Sequence, residues 1–255
     1  MQTIKRSLIN NQIVWAEINR PDARNAINFQ VIDELEEIVA EVRQDERITT
    51  FILSGSGTEA FVSGGDLKEF HTIKSEEKAI EMSERMHRLL SDIEQLPCWT
   101  IACINGFAYG GGIEILLAFD FHIASEAARF GFTQGKFYLS PGWGGLTRLI
   151  EKTGKSKALQ LLAESAVLGA EEVRQLGIIE RTIPAKQLLE ETTEWAIRIS
   201  RNDRDYIRTL KQTAAKIHPE RLAMLKEEIE PFAKLWVHDE HNARVERFIQ
   251  KKNGN

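Results

Sequence analysis

Two glycine-bearing segments carry the residue types best suited to chemistry: "FVSGGDLKEF" at 61–70 and "NGFAYGGGIEILLAFDF" at 105–121. Each follows an apolar, strand-like run and brings glycines to the start of an expected helix. There, uncommitted backbone N–H groups point outward and the helix dipole favours negative charge. Two such ends brought together would make an oxyanion hole, which acts most strongly where charge develops in a dry, prearranged site. Glycine loses backbone entropy and leaves the main chain uncovered, so the run Gly110, Gly111, Gly112 implies that something approaches the backbone closely. A tight strand-to-helix turn accounts for such a run equally well. Glu114 sits between "GGGI" and "ILLAF", where a carboxylate is poorly placed for solvent.

Other candidate motifs are weaker. "LSGSGTEA" nominally fits the dinucleotide pattern, but no amphipathic helix follows Ala60. "TGKS" at 153–156 resembles the end of a phosphate-binding loop, yet Leu149 stands where that motif requires glycine. The six histidines offer no third ligand beside His238 and His241, so no metal site is expected. Cys98 and Cys103 read as buried free thiols in one apolar segment.

The elements that must position these residues alternate between α and β. "SLINNQIVWAEI" predicts a hairpin with Asn10 and Asn11 in the turn, and Val31, Leu35, Ile38 and Val42 recur at helical spacing. "TTFILSG" and "CWTIACI" predict buried strands, with a long helix over 76–96 between them that ends before Pro97. "IEILLAF" predicts a short helix and "DFHIAS" a strand; a helix-rich stretch with one strand at "IIERTIP" follows, and the last sixty residues are expected to be helical. A 255-residue chain, 42% hydrophobic and 28% charged, can bury a sizeable core. We expect an α/β core over 1–195 and a helical oligomerisation region over 196–255. The net charge of −5 and scattered basic residues argue against nucleic acid or an anionic membrane surface. Apolar runs fall short of a bilayer span, and the N-terminal stretch lacks a signal-like core, so a cytoplasmic location is expected.

Taken in order, "NRPDARNAIN", "FVSGGDLKEF", "NGFAYGGGIEILLAFDFHIAS", "SPGWGGLTRLIEKTGKSKALQLL" and "LGAEEVRQLGIIERTIP" resemble the enoyl-CoA hydratase/isomerase (crotonase) superfamily over nearly the whole chain. The resemblance implies the crotonase (ClpP-like) fold, a spiral of ββα units followed by C-terminal helices, assembled as a homotrimer or dimer of trimers. It implies an acyl-CoA substrate with no separate cofactor. It also places the two oxyanion donors on the N–H groups of Gly65 and Gly111, and a catalytic carboxylate, which positions or activates water, at Glu114. Ala23, Arg24 and Ala26 would then lie along the pantetheine and phosphates. Ser63, Gly64, Asp66, Leu67 and Lys68 would flank the thioester and adenine, and Phe248 and Lys251 would lie on a C-terminal helix reaching toward the CoA site. Phe70 is a candidate for the acyl pocket, and Asp66 a candidate helix cap.

One position departs from the family pattern. Hydratases of the family carry a second catalytic Glu where this chain has Gln134, within "FGFTQGKFYLSPG". Glutamine can hydrogen-bond a water or a substrate oxygen but cannot deliver a proton to Cα. Hydration remains the leading expectation. Isomerisation, or decarboxylation of a methylmalonyl- or ethylmalonyl-type thioester, is the alternative, the latter because "PGWGGLTRL" also resembles ethylmalonyl-CoA decarboxylases. A noncatalytic thioester binder is the reading from outside enzymology.

Overall fold

The computed structural model describes residues 2–253. The chain opens with a hairpin of β1 (Ile4–Ile9) and β2 (Ile13–Ile18), joined through Asn10 and Asn11 with φ of 51° and 56°. Asn tolerates this left-handed region because its short polar side chain can bond locally. Helix α1 (Phe29–Gln44) starts where the Asn28 side chain accepts the Val31 N–H, and buries Val31, Ile32, Leu35, Ile38, Val39 and Val42. Each such side chain contributes roughly 1.5–3 kcal/mol on burial.

Three strand–strand–helix repeats follow. β3 (Thr50–Gly55) and β4 (Ala60–Val62) lead through the single turn α2 (Leu67–Phe70) into the long α3 (Glu76–Glu94). β5 (Trp99–Ile104) and β6 (Phe107–Tyr109) lead into α4 (Gly111–Leu116). β7 (Phe121–Ser125) and β8 (Arg129–Gly131) lead through a 3-10 turn at Thr133–Phe137 into α5 (Gly145–Thr153). The chain continues through α6 (Lys155–Ala163), β9 (Val167–Gly169), α7 (Ala170–Gln175) and β10 (Arg181–Ile183). It closes with α8 (Leu188–Ile199), α9 (Arg204–Ala215), α10 (Arg221–Lys226), α11 (Ile229–Trp236) and α12 (Asp239–Asn253).

The first strand of each repeat enters a six-stranded sheet ordered β1-β2-β3-β5-β7-β10, parallel except for the β1–β2 hairpin. The second enters a smaller sheet ordered β4-β6-β8-β9, parallel except for β8–β9. Every strand read from the sequence lies in the large sheet. The small sheet was not anticipated, because its three-residue strands are too short to display a period. α8 runs across residue 195, and Phe232, Ala233 and Trp236 of α11 join the same buried core as Val62 and Ile113.

Candidate active site

The two glycine turns meet. Gly64 has φ 110° and Gly110 has φ 51°, conformations that side chains rarely adopt, and both allow each loop to double back beside the other. A β-carbon on Gly64 would stand 3.7 Å from the Gly111 amide nitrogen. The N–H groups of Gly65 and Gly111 have no hydrogen-bond partner among the described residues, and both glycines line one pocket of about 90 Å³. The indole of Trp143 lies against them. A β-carbon on Gly111 would run into that ring, and one on Gly65 would meet Phe70 at 2.9 Å and Trp143 at 3.6 Å. Glycine here is thus demanded by close approach of a side chain as well as by the turn. Leu67, Phe70, Met82, Leu139, Phe232 and Trp236 supply most of the remaining apolar wall.

Glu114 also lines the pocket, one helical turn beyond Gly111, and is only 4% exposed. Its Oε2 accepts the N–H of Trp143 at 2.7 Å and of Gly145 at 3.1 Å. Its Oε1 has only the long contacts with the Gly142 N–H at 3.4 Å and Gln134 Nε2 at 3.3 Å. One oxygen is an anchor and the other retains capacity for a proton. Burial pushes the carboxyl up to about 7, outweighing the Trp143 N–H, which favours the ionised form; the nearby Glu228 carboxylate adds to the rise.

The loop that holds Glu114 is itself held on every side. Ser83 donates to the Gly142 carbonyl, and Arg148 donates to the carbonyls of Trp143 at 2.9 Å and Gly144 at 3.2 Å. Arg148 is 1% exposed and is paired bidentately with Glu94, which Arg221 also binds. Glu228 accepts the N–H groups of Leu146 and Thr147, so two buried carboxylates satisfy the first turn of α5. His87, read from the sequence as an isolated residue among charges, is buried on α3, where burial and the Arg148 charge hold it down to about 4.

Gln134, 8% exposed, lines the same pocket as the glycines with its amide on Glu114. Its segment is clamped by α12: His241 Nδ1 contacts the Phe137 carbonyl at 2.7 Å and Arg244 donates to the Gly135 carbonyl at 2.8 Å. Phe248 packs edge-on against Phe137, a residue of the pocket wall. Lys251 is exposed on the same helix.

The residues expected along a ligand's length differ in their placement. Ser63, Gly64 and Leu67 line the pocket. Asp66 caps α2 through the Lys68 N–H at 3.2 Å and pairs with Arg20 at 2.8 Å. Lys68 is exposed, Ala26 is buried, and the Ala23 and Arg24 carbonyls bond to Ser63. Arg24 pairs with Glu59 at 2.9 Å, both half-exposed. Sequence reasoning missed Trp143, Ser140, Arg148, Glu228, Phe232 and Trp236 as individual site residues. Only Trp143 carried a signal, as the bulky residue inside a glycine-rich turn. Among the described residues no cluster of three or more metal-ligating side chains occurs, and no helix is long and apolar enough to cross a membrane.

Residues 8–255 match the family model described as Enoyl-CoA hydratase/isomerase. The chain belongs to the enoyl-CoA hydratase/isomerase family. It is 30% identical to the short-chain-enoyl-CoA hydratase of Clostridium acetobutylicum over 245 residues, covering 94% of this chain and 92% of that protein. It is 34% identical to the crotonyl-CoA hydratase of Syntrophomonas wolfei over 197 residues, covering 77% and 75%. Among solved structures, the enoyl-CoA hydratase from Bacillus halodurans superposes with a TM-score of 0.88 at 26% identity, covering 96% of this chain and 99% of that one. The enoyl-CoA hydratase from Bacillus anthracis superposes at 0.81 and 29% identity, covering 98% and 97%. The mixed α/β architecture is therefore the crotonase fold expected from the sequence.

Proposed function

We propose that this family member binds acyl-CoA thioesters, holds the thioester oxygen between the N–H groups of Gly65 and Gly111, and acts as an enoyl-CoA hydratase with Glu114 as its sole proton shuttle. The observation that carries the reading is a buried carboxyl, raised to about 7, lining the same pocket as two unpartnered backbone donors. Enolate charge developing on the thioester oxygen would be met by both amides, and loss of one such donor costs ~10²–10³-fold in rate.

In this mechanism Glu114 Oε1 removes a proton from a water that Gln134 helps to orient. The water oxygen adds to Cβ, the C=C electrons shift to the enolate, and Glu114 returns the proton to Cα as the carbonyl re-forms. A carboxyl titrating near neutrality suits both halves of that transfer. Gln134 contributes a hydrogen bond and no proton.

Gln134 also favours a second reading, decarboxylation of a methylmalonyl- or ethylmalonyl-type thioester. There, breaking the bond from Cα to the carboxylate carbon leaves the electron pair as the enolate, and only one protonation remains. Initial rates with crotonyl-CoA, a 3-enoyl-CoA, methylmalonyl-CoA and ethylmalonyl-CoA separate hydration, isomerisation and decarboxylation. Turnover of crotonyl-CoA to 3-hydroxybutyryl-CoA is the expected result. Inertness toward all four with retained binding would make the protein a noncatalytic thioester binder.

The CoA portion is assigned as the resemblance implies: Ala23, Arg24 and Ala26 along the pantetheine and phosphates, Ser63, Gly64, Asp66, Leu67 and Lys68 flanking the thioester and adenine, with Arg24 and Lys68 as the cations and Phe248 and Lys251 on the C-terminal helix that reaches toward the CoA site. The thioester is the substrate, and no cofactor is assigned. Exposed apolar side chains on α8 to α10, among them Leu189, Tyr206, Leu210, Leu222 and Met224, support a homotrimer or dimer of trimers, to be measured by light scattering. A cytoplasmic location completes the proposal.

A further inference from the structure

Glu114 and Glu228 bind one run of backbone donors. Glu114 Oε2 accepts the N–H groups of Trp143 and Gly145, while Glu228 accepts those of Leu146 at 3.0 Å and Thr147 at 2.7 Å. Gly145 and Leu146 are adjacent, so two carboxylates are brought onto the same turn of backbone, and they are only 4% and 7% exposed. Each oxygen of Glu228 is taken by one of these bonds, an arrangement that suits the ionised form, which only accepts. Glu114 Oε1, with contacts no shorter than 3.3 Å, is the one oxygen of the four with room for a proton. Glu228 is the residue before α11, the helix that also supplies Phe232 and Trp236 to the pocket wall. Gln134, the other polar neighbour of Glu114, brings no charge.

The remaining charged groups around this turn are paired or neutral. Arg148 of α5 favours ionised Glu228, but it is committed to Glu94 of α3 at 2.7 Å and offsets Glu228 only in part. Glu94 is bound in turn by Arg221 of α10. His87 of α3, which stands with Arg148 beside Gly144, is held down to about 4 and carries no charge near neutrality.

Resting on the reading of Glu114 as the proton shuttle, we propose that Glu228 is a positioning residue for the reaction: carried in on the segment before α11, its fixed negative charge destabilises ionised Glu114 and so sets the pH at which that carboxyl becomes a base. Like charges in a buried setting disfavour ionisation of whichever group has fewer donors, and here that group is Glu114. Burial is the larger cause of the raised Glu114 carboxyl, and the Glu228 charge adds to it.

The test is the pH dependence of kcat/KM for crotonyl-CoA in the unaltered protein, Glu228→Gln and Glu228→Asp, a profile that reports ionisations of the free enzyme. Glu228→Gln should move the ascending limb from about 7 toward lower pH, so that kcat/KM at pH 6, as a fraction of its plateau, rises ~3-fold or more. Glu228→Asp keeps the charge, and its limb should stay near 7. An unmoved limb in Glu228→Gln would overturn the proposal whatever happens to stability, and an equal displacement in both variants would make the effect one of packing and overturn it too. Carboxyl-carbon NMR of the unaltered protein tests the same point without a substitution: between pH 6 and pH 8 Glu114 should titrate while Glu228 stays ionised, and a proton taken up by Glu228 over that range would overturn it. Absence of turnover, or a profile of the unaltered protein with no ascending limb near 7, would instead refute the reading of Glu114 on which the inference rests.

Discussion

Gln134 Nε2 stands 3.3 Å from Glu114 Oε1, so the side chain that the family resemblance aligns with a second carboxylate serves as a hydrogen-bond donor to Glu114. A Glu at 134 would place two buried carboxyl groups in contact, and like charges at that range cannot both ionise. One of them would hold a proton at neutral pH and could deliver it to Cα. Gln134→Glu should therefore raise kcat for crotonyl-CoA hydration by ~10-fold or more, with a second ionisation entering the pH profile. An unchanged rate would mean that proton delivery to Cα does not limit turnover.

Glu114 sets a pH window of its own. In the proposed mechanism hydration begins with its ionised form, so kcat/KM should rise as pH increases through about 7. Glu114→Gln should lower kcat ~10³-fold or more while sparing thioester affinity. Near-normal turnover would remove Glu114 from the mechanism.

The same group has a stability signature. Its folded-state pKa is raised, so the folded protein binds the proton more tightly than the unfolded chain does. The associated stability is fully present below the ordinary carboxyl range and is lost as pH climbs through about 7. Above that, ionised Glu114 costs up to about 3 kcal/mol. Urea midpoints for the unaltered protein should fall between pH 5 and pH 8 more steeply than those for Glu114→Gln, and parallel curves would contradict this.

Arg148 connects the loop to the core, because its guanidinium binds the Trp143 and Gly144 carbonyls and Glu94 together. Arg148→Met leaves Glu94 with Arg221 but frees two buried carbonyls. A loss of about 3–5 kcal/mol is expected, read as a lowered unfolding midpoint, with kcat falling as the Glu114 anchors loosen. A stable variant with full activity would show that Ser83 and Glu228 suffice.

How much of this was legible in the chain depends on the scale of the signal. The large sheet could be read strand by strand, because runs such as "TTFILSG" and "CWTIACI" are buried on both faces and bounded by breakers. The two glycine turns and Glu114 stood out because glycine at a helix start and an acid in an apolar setting are anomalies that local sequence displays, whereas the choice of Gly65 and Gly111 within those turns came from the family resemblance. Arg148 and Glu228 could not, since their roles exist only once α5 packs beside α3 and α4 and the residue preceding α11 reaches the first turn of α5, contacts separated by up to 82 residues. His87 shows the converse: its neighbours in sequence are charged, yet helical periodicity turns it inward.

Trp143 is where the pocket's capacity can be changed most directly. Its ring covers Gly111 and Gly65 and is 5% exposed, whereas its contribution to Glu114 comes through the backbone N–H, which any residue but proline retains. Trp143→Ala should therefore enlarge the acyl pocket without removing an anchor from the carboxylate. The change should cost about 3–5 kcal/mol in stability through the cavity it leaves. Steady-state kinetics over C4, C6, C8 and C10 enoyl-CoA substrates should show the best kcat/KM moving to longer chains, with crotonyl-CoA turnover reduced because the short acyl group is no longer held against the two amides. A chain-length profile that keeps its maximum and only drops in height would show that some other wall, Phe232 or Trp236, sets the length.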